Sequence, residues 1–293
     1  RDADAAMYRA KERGGARYEM FDKTMHTQAV VRLLTERALR SAIDHDELRV
    51  FFQPQIRVAT GECVAVEALV RWEHTMRGTV LPVEFIPVAE ETGLIVPIGE
   101  MVLKDACAQA ERWQDAGPDG DALGVSVNLS ARQLMRPDLR DWVERLLLEH
   151  RLAPETICLE VTESVLLDDV DVTVDALAAL KDLGVRLAID DFGTGYSSLS
   201  YLKQFPFDEL KIDAVFVAGL GQSHTDDAIV AATVDMAHAL GMVAAAEGVE
   251  TEVQLERLGE LGCDLAQGFH LAVPEPVERL FGLAPVEVDS QSA

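Results

Sequence analysis

The sequence lacks any apolar run near the roughly 18 residues that cross a bilayer, and its start lacks a signal-peptide pattern. Cysteine is scarce: Cys63, Cys107, Cys158 and Cys263 lie far apart without C-x-x-C spacing. They are predicted to be buried free thiols of a reducing compartment, and a zinc site is not expected. We therefore expect a cytoplasmic location. The opening Arg1-Asp-Ala-Asp has no initiator Met and indicates a piece of a longer protein, whose N-terminal part could anchor it to a membrane.

Basic residues are also few. The chain has 26 Lys and Arg against 51 Asp and Glu, a formal net charge of −25, which argues against binding a DNA or RNA polymer or an anionic membrane surface. A small phosphate-bearing substrate remains compatible with this charge, because local cations or bound metals decide what a pocket accepts. The length of 293 residues, with 48% hydrophobic residues, provides enough material for one large buried core.

From Glu47 onward, strand-like and helix-like stretches alternate, which predicts an α/β fold built as a closed (β/α)8 barrel of the TIM type. Only six residues separate the first two predicted strands, too few for a parallel crossover, so the first strand should be antiparallel. An open doubly wound sheet is the alternative, but Gly-x-Gly-x-x-Gly is missing after the first strand. The predicted strands are 49–56, 63–70, 124–129, 156–161, 185–191, 209–212, 243–246 and 265–269, and the predicted helices are 24–44, 97–114, 137–150, 170–183, 225–240 and 251–261.

One stretch organises the chain: the apolar run Leu-Ala-Ile leads directly into Asp190 and Asp191, followed by Phe-Gly-Thr-Gly. Both carboxylates should lie at the carboxyl end of a strand, where barrels of this class assemble their active sites. Polar residues recur at or near the other strand ends, and some acids interrupt apolar runs, as Glu160 does in Ile-Cys-Leu-Glu-Val. The full set is Glu67, Asn128, Glu160, Asp190, Asp191, Lys211, Asp213, Glu247 and Gln267.

Five carboxylates of this set should converge on one mouth, and two of them 4 Å apart would repel by about 4 kcal/mol at an effective dielectric near 20. These five are Glu67, Glu160, Asp190, Asp191 and Glu247. Two divalent cations together with Lys211 would balance the five negative charges. Oxygen ligands without thiolate or imidazole favour Mg²⁺ or Mn²⁺, with Ca²⁺ as an inhibitory competitor. Two such ions form the usual clamp for hydrolysing a phosphodiester. Lys211 could position the attacking water, and Arg71 is the natural phosphate contact.

Several motifs in order resemble the EAL domain family of cyclic di-GMP phosphodiesterases. They include Glu67-Ala-Leu-Val-Arg71-Trp, Ser126-Val-Asn128-Leu-Ser, Glu160-Val-Thr-Glu163-Ser and Asp190-Asp191-Phe-Gly-Thr-Gly. Gln53-Pro, Leu210-Lys211-Ile-Asp213, Ala246-Glu247-Gly-Val-Glu250-Thr and Gln267-Gly complete the set, over about 39–276. The resemblance implies metal-dependent hydrolysis of cyclic di-GMP to linear pGpG in bacterial signalling.

Residue roles also follow from the resemblance. It implies that Lys211 and Glu247 act around the catalytic water, with Glu247 as a base or as a residue that hydrogen-bonds to the groups bound to the metal. The implied metal ligands are Glu67, Asn128, Glu160, Asp190 and Asp191; the implied substrate contacts are Gln53, Leu69, Arg71, Asp213 and Gln267; and Glu163 and Glu250 would stabilise loops. The family also implies two metal ions per site and a homodimer.

The first residues, Ala3-Asp-Ala-Ala-Met-Tyr to Gly14-Gly15, resemble the end of a diguanylate cyclase (GGDEF) domain without its signature loop. We expect 1–22 to be this remnant, 23–46 a linker helix, 47–280 the barrel and 281–293 a tail, with GGDEF and sensor domains upstream. Two other functions are compatible with parts of the sequence. A degenerate EAL domain can bind cyclic di-GMP without hydrolysis, but no expected metal ligand is missing. A carboxylate-rich barrel can be a metal-dependent lyase or enolising enzyme, but the motifs have no place there.

Overall fold

The computed structural model describes residues 23–116, 123–167, 170–193, 202 and 205–280. The predicted GGDEF remnant at 1–22 and the tail at 281–293 lie outside the described residues. The strands are β1 (Leu48–Arg57), β2 (Cys63–His74), β3 (Gly78–Val80), β4 (Gly124–Asn128), β5 (Ile157–Thr162), β6 (Arg186–Phe192), β7 (Glu209–Ile212), β8 (Val243–Ala246) and β9 (Leu265–Ala266). The helices are α1 (Lys23–Asp44), α2 (Pro82–Thr92), α3 (Ile95–Ala116), α4 (Ala131–Leu134), α5 (Leu139–Glu149), α6 (Val170–Lys181), α7 (Ala214–Val217), α8 (His224–Ala239), α9 (Glu252–Glu260) and α10 (Val277–Leu280), with 3₁₀ turns at Pro154–Thr156 and Glu163–Leu167.

Eight strands form a closed barrel, in the order β1-β9-β8-β7-β6-β5-β4-β2, and pairing between β1 and β2 closes the ring. The neighbours from β2 through β4 to β9 are parallel, whereas β1 is antiparallel to both of its neighbours. The turn between β1 and β2 is tight, with Gly61 N donating to Arg57 O at 2.8 Å and Gly61 at a φ of 71°. The predicted barrel with a reversed first strand is therefore confirmed.

Most predicted elements are present, and the structure also contains elements that were not predicted, among them β3 and α2. Strand β3 forms a hairpin with the end of β2 through Gly78, and α2 follows directly, although Pro82 and Pro87 lie within it. Pro82 is compatible with a helix start because the first helical N–H groups have no partner within the helix. Strand β9 ends at Ala266, earlier than predicted, and β2 runs on to His74. Cys63 is exposed, against the prediction, while the other three cysteines are buried as expected.

The described chain divides into two compact units. The first holds residues up to Arg49 together with Arg71–Pro97, and the second holds Val50–Val70 and everything from Ile98 onward. Within the first unit, Trp72 is buried against Phe85, with ring centroids 5.9 Å apart, and its indole N–H donates to Glu47 at 3.0 Å. Within the second unit, the strands carry a continuous apolar core that includes Leu159, Leu187 and Leu210. In the described part of the chain, no helix combines the length and hydropathy that a membrane span requires.

Candidate active site

A buried lysine lies at the centre of the polar cluster inside the barrel. Lys211, the third of the four residues of β7, is 1% exposed. Its Nζ lies 2.6 Å from Glu160 Oε2 and 2.5 Å from Glu247 Oε1. Glu67 Oε2 and Asp190 Oδ1 each lie 3.7 Å from the same nitrogen. Four carboxylates from four strands or strand ends thus converge on one ammonium group, as the strand-end pattern predicted.

Glu67 connects this cluster to the neighbouring polar side chains. Asn128 Nδ2 donates to Glu67 Oε1 at 2.7 Å, and Gln267 Nε2 donates to Glu67 Oε2 at 2.6 Å. The Gln267 amide also donates to Gln53 Oε1 at 3.0 Å, and the Gln53 amide donates to Ala272 O at 2.9 Å. Glu67 does not end its strand, since β2 continues to His74, but Asn128 is the last residue of β4 and Gln267 directly follows β9.

Asp190 and Asp191 are adjacent in a strand, where successive side chains normally point to opposite faces. A bulge changes this arrangement: Ile189 pairs with Leu210, whereas Phe192 pairs with Ile212, so β6 contains one extra residue. Asp191 has a φ of 55°, and its N–H donates to Asp190 Oδ1 at 2.8 Å. Bulges next to active sites commonly redirect a side chain. Here the bulge brings Asp190 towards Lys211, while the Asp191 side chain is hydrogen-bonded to that of Asp213.

Burial dominates the ionisation of the cluster. It raises the pKa of Glu160 well above its usual value and that of Glu247 to about 8, and neighbouring carboxylates add to both shifts. Burial would lower the pKa of Lys211, but the surrounding carboxylates outweigh it and raise this pKa well above the usual value. Burial, followed by the nearby Asp190 charge, raises the pKa of Asp191 to about 6. A divalent cation would favour the charged form of each carboxyl group.

The loop after β8 carries Glu247 and is packed closely against the end of β9. Val249 N donates to Gln267 O at 3.0 Å, and a Cβ on Gly268 would lie 2.1 Å from Val249 O. Only glycine fits at that position. The Gln267-Gly motif is thus explained by packing as well as by the placement of the Gln267 amide.

Asp213 is the N-cap of α7, where its Oδ1 accepts from Val215 N at 2.7 Å.

Glu163, predicted to stabilise a loop, is buried and accepts a hydrogen bond from Gly193 N at 3.0 Å through its Oε2. Residues 194–201, which form most of the predicted loop, lie outside the described residues. Glu250 is exposed, and its backbone N–H donates to Gln254 Oε1 at 2.8 Å. Leu69 is half-buried in β2, and Arg71 follows two residues later on the same strand. The predicted roles of Glu163 and Glu250 in stabilising loops, and of Leu69 and Arg71 in binding substrate, stay predictions.

We expect Glu163→Ala to lower turnover by about 10- to 100-fold, in the range seen when a group that orients a metal ligand is removed. The variant leaves Gly193 N–H without this acceptor, directly after the strand that carries Asp190 and Asp191. Unfolding by urea should show a loss of about 1–3 kcal/mol in stability. Steady-state kinetics of Glu163→Gln, which retains an acceptor oxygen, provide the control. Equal activity of Glu163→Ala and the unchanged protein would contradict the role.

The donor set fits a hard divalent cation. Glu160 Oε1 is buried without a hydrogen-bond partner, although Glu160 Oε2 is bound to Lys211. Such an orphaned acceptor is costly unless a cation or donor reaches it. The surrounding ligand atoms are carboxylate and amide oxygens, which suit Mg²⁺ or Mn²⁺. Among the described residues, no group of three acidic, His or Cys side chains is arranged to hold a common ion.

One buried acid inside the barrel was not predicted as part of any site. Glu209, the first residue of β7, is 2% exposed and lies two residues before Lys211. Residues two apart on a strand share a face, so Glu209 also points into the barrel interior. The signal available in the sequence was the alternation Glu209-x-Lys211 within a short apolar strand. This signal was missed because Glu209 lies at the amino end of its strand, away from the expected site.

Fold and site together define a (β/α) barrel with a buried, lysine-centred carboxylate cluster at the carboxyl ends of its parallel strands. The EAL domain model matches residues 36–274, and the chain belongs to the EAL domain family. The family is in general metal-dependent.

Relatives of known description are similar over nearly the whole chain. The bifunctional diguanylate cyclase/cyclic di-GMP phosphodiesterase MucR of Pseudomonas aeruginosa is 46% identical over 279 residues, which are 95% of this chain and 40% of that protein. The signaling protein YkoW of Bacillus subtilis is 41% identical over 277 residues, 94% of this chain and 34% of that protein. The chain thus spans less than half the length of these relatives.

A solved structure, described as the PaMucR phosphodiesterase in complex with c-di-GMP, has a TM-score of 0.80 and 46% identity, over 84% of this chain and 99% of that one. The family predicted from the motifs is confirmed.

Proposed function

We propose that this chain hydrolyses cyclic di-GMP to linear pGpG and thereby lowers a bacterial second messenger. The observation that carries the proposal is the carboxylate cluster around Lys211, in a chain that the EAL domain model matches over residues 36–274. The similar PaMucR phosphodiesterase structure, described as a c-di-GMP complex, supports the substrate. The reaction would add water across one phosphodiester bond and leave a 5′-phosphate and a 3′-hydroxyl.

Two Mg²⁺ or Mn²⁺ ions would be held by Glu67, Asn128, Glu160, Asp190 and Asp191. When bound, they would supply an activated water and stabilise charge on the phosphoryl oxygens. Lys211 would hold that water or the developing negative charge through its Nζ. Glu247 Oε1 lies 2.5 Å from this Nζ, so it is in position to accept a proton from a water beside Lys211. Burial, which raises the pKa of Glu247 to about 8 without metal, keeps it close to the range of a general base.

Substrate contacts would come from residues around the same mouth. Gln53 and Gln267 form one hydrogen-bonded pair at 3.0 Å, and both amides would contact the substrate. Asp213 would contact the substrate beside Asp191, and Leu69 would provide an apolar surface. Arg71 would bind a phosphate oxygen, as guanidinium groups do. Because the chain carries a net charge of −25, the metals and Arg71 must offset its repulsion of a dianionic substrate.

Purified chain incubated with cyclic di-GMP tests the proposal, with pGpG resolved by chromatography and binding followed in parallel. We expect hydrolysis with Mg²⁺ or Mn²⁺, none with EDTA, and inhibition when Ca²⁺ is added to the Mg²⁺ reaction. Cyclic di-AMP serves as the control for base selectivity. Tight binding of cyclic di-GMP without pGpG under every metal would instead assign the chain as a receptor.

The proposal extends to the oligomeric state, location and domain organisation of the whole protein. We infer a homodimer, upstream GGDEF and sensor domains, and a cytoplasmic location for this part of the protein. We also retain the division into a remnant at 1–22, a linker helix at 23–46, a barrel at 47–280 and a tail at 281–293. The EAL match to residues 36–274 supports the position of the barrel.

A further inference from the structure

A cavity of about 480 Å³ lies at the end of the barrel opposite the cluster around Lys211. Its lining includes the first residues of β4, β6, β7, β8 and β9, and Arg57, the last residue of the reversed strand β1. All of these positions belong to the amino-terminal mouth, because a reversed strand ends where its parallel neighbours begin. The cavity is therefore separate from the cluster around Lys211, and no residue with a role in the proposed hydrolysis lines it.

Glu209 provides a buried hydrogen-bond acceptor at the inner wall of this cavity. It is 2% exposed, and its Oε1 has no hydrogen-bond partner. A buried acceptor without a partner costs about 1–3 kcal/mol, so its position in a cavity wall points to a donor supplied by a ligand. Burial raises the pKa of Glu209, and hydrogen bonds donated to the carboxylate would favour its charged form. The ligand group that faces Oε1 should therefore carry an N–H or O–H.

Two arginines contribute positive charge to the same cavity. Arg57 lines the cavity and is exposed, whereas Arg186 is half-buried and donates from Nε to Glu155 O at 3.0 Å. The Arg186 Nη2 atom lies 2.6 Å from where a Cβ on Gly124 would stand, so glycine leaves room for the guanidinium group in the wall. Glu155, which is exposed, also lines the cavity, so two carboxylates and two guanidinium groups face it. Each guanidinium group can still bind a phosphate through paired N–H donors.

We propose that this amino-terminal mouth binds a guanosine 5′-phosphate group. The guanine edge presents adjacent N–H donors to Glu209, and the phosphate contacts Arg57 and Arg186. Adenine has a ring nitrogen that accepts hydrogen bonds beside its amino group. This acceptor would face a carboxylate oxygen of Glu209, and two acceptors repel each other. The cavity lies within the size range of about 300–1,000 Å³ that is usual for small-molecule sites. Free GMP and pGpG both carry this group, and the test separates them.

Isothermal titration in EDTA measures GMP binding to the full chain without hydrolysis. Val243→Trp places a large side chain in the cavity from a residue that is 39% exposed, so the fold should tolerate it. We expect this variant and Arg186→Gln to weaken GMP binding by at least about tenfold, since either the space or a charge-assisted contact is lost. The matched control is Val253→Trp, an exposed valine of α9 outside the cavity, which should bind as the unchanged protein does.

Further titrations test which chemical groups the cavity recognises and at which end of the barrel GMP binds. AMP and inorganic phosphate should bind at least about tenfold more weakly than GMP, because each lacks the donor pair for Glu209. Glu67→Ala, which alters the catalytic end, should leave GMP binding unchanged. Absence of GMP binding, equal binding by Val243→Trp and Val253→Trp, or loss in Glu67→Ala would each overturn the proposal.

Titration with pGpG shows whether the cavity accepts the guanosine 5′-phosphate group of the dinucleotide or only that of free GMP. If pGpG binding is weakened by Val243→Trp and retained in Glu67→Ala, the mouth accepts the dinucleotide as well as GMP. If pGpG binding is retained in Val243→Trp and lost in Glu67→Ala, the mouth is restricted to GMP. Cyclic di-GMP hydrolysis is measured on the same samples with Mg²⁺. If GMP binds but cyclic di-GMP is not hydrolysed, only the proposed function is refuted. If cyclic di-GMP is hydrolysed but GMP does not bind, only the proposed second site is refuted.

Discussion

Lys211→Met is expected to lower the turnover of cyclic di-GMP by about 100- to 10,000-fold, the usual contribution of a group that handles a proton or charge in the transition state. Substrate affinity should be largely retained, because the proposed substrate contacts lie on other residues. The same change leaves Glu160 and Glu247 without the ammonium that lies 2.6 and 2.5 Å from them. Removing one partner from a buried charge cluster costs about 3–5 kcal/mol, so the metal-free variant should also unfold at a lower urea concentration.

Lys181→Met is the matched control for this effect. Lys181 also binds a carboxylate, with its Nζ 2.5 Å from Asp208 Oδ1, but this pair lies outside the carboxylate cluster. Its side chain is 34% exposed against 1% for Lys211. We expect a small loss of stability and unchanged turnover. The measurements are steady-state kinetics and substrate titration on samples whose folding has been verified by circular dichroism. Equal turnover of the two variants would remove Lys211 from the mechanism.

Glu67→Ala is expected to abolish turnover, a loss larger than the roughly 10- to 100-fold caused by removing a group that only orients a metal ligand. Glu67 accepts hydrogen bonds from Asn128 at 2.7 Å and Gln267 at 2.6 Å, so alanine removes a proposed ligand and releases two neighbouring amides. The affinity for Mn²⁺, measured by calorimetry without substrate, should fall as well. Turnover at the level of the unchanged protein would refute the assigned site.

Glu73→Ala provides the comparison on the same strand. Glu73 lies six residues after Glu67 on β2, its side chain is 50% exposed, and its Oε2 is 3.6 Å from Arg49 Nε. Exposed pairs of this kind contribute about 0–1 kcal/mol. We therefore expect no change in turnover or Mn²⁺ affinity. A loss that matched Glu67→Ala would show that the effect comes from disturbing the strand rather than from the carboxylate.

The barrel could be predicted from the sequence because its strands are short apolar runs separated by helical patterns, and because the connection after β1 is too short for a crossover. The prediction was weaker where local signals conflict with tertiary packing. Helix α2 was missed since Pro82 and Pro87 appear as helix breakers, although Phe85 and Ala89 are fully buried and stabilise it. Strand β3 has only three residues, too few for a detectable alternation.

The cluster was predicted from the polar residues at the strand ends, with the roles implied by the motif resemblance, and the structure brings Glu67, Glu160, Asp190 and Glu247 within reach of Lys211. The bulge at Asp191 could not be foreseen, because it depends on the register between β6 and β7 rather than on the residues of β6 alone. Glu209 was missed for a related reason. Its burial arises only when eight strands close around it, whereas a strand-start acid in a linear sequence resembles a solvent-exposed residue.

The sequence by itself determined the family, the order of the barrel strands, and the chemistry available to the site. These properties depend on residue type and spacing, which the chain carries before it folds. Only the tertiary structure decided that Lys211 lies at the centre of the carboxylates, that Glu160 Oε1 is left without a partner, and that a cavity at the opposite end of the barrel contains Glu209, Arg57 and Arg186. Distances between strands far apart in the chain depend on closure and register, and burial then determines which charges become costly and must find a partner.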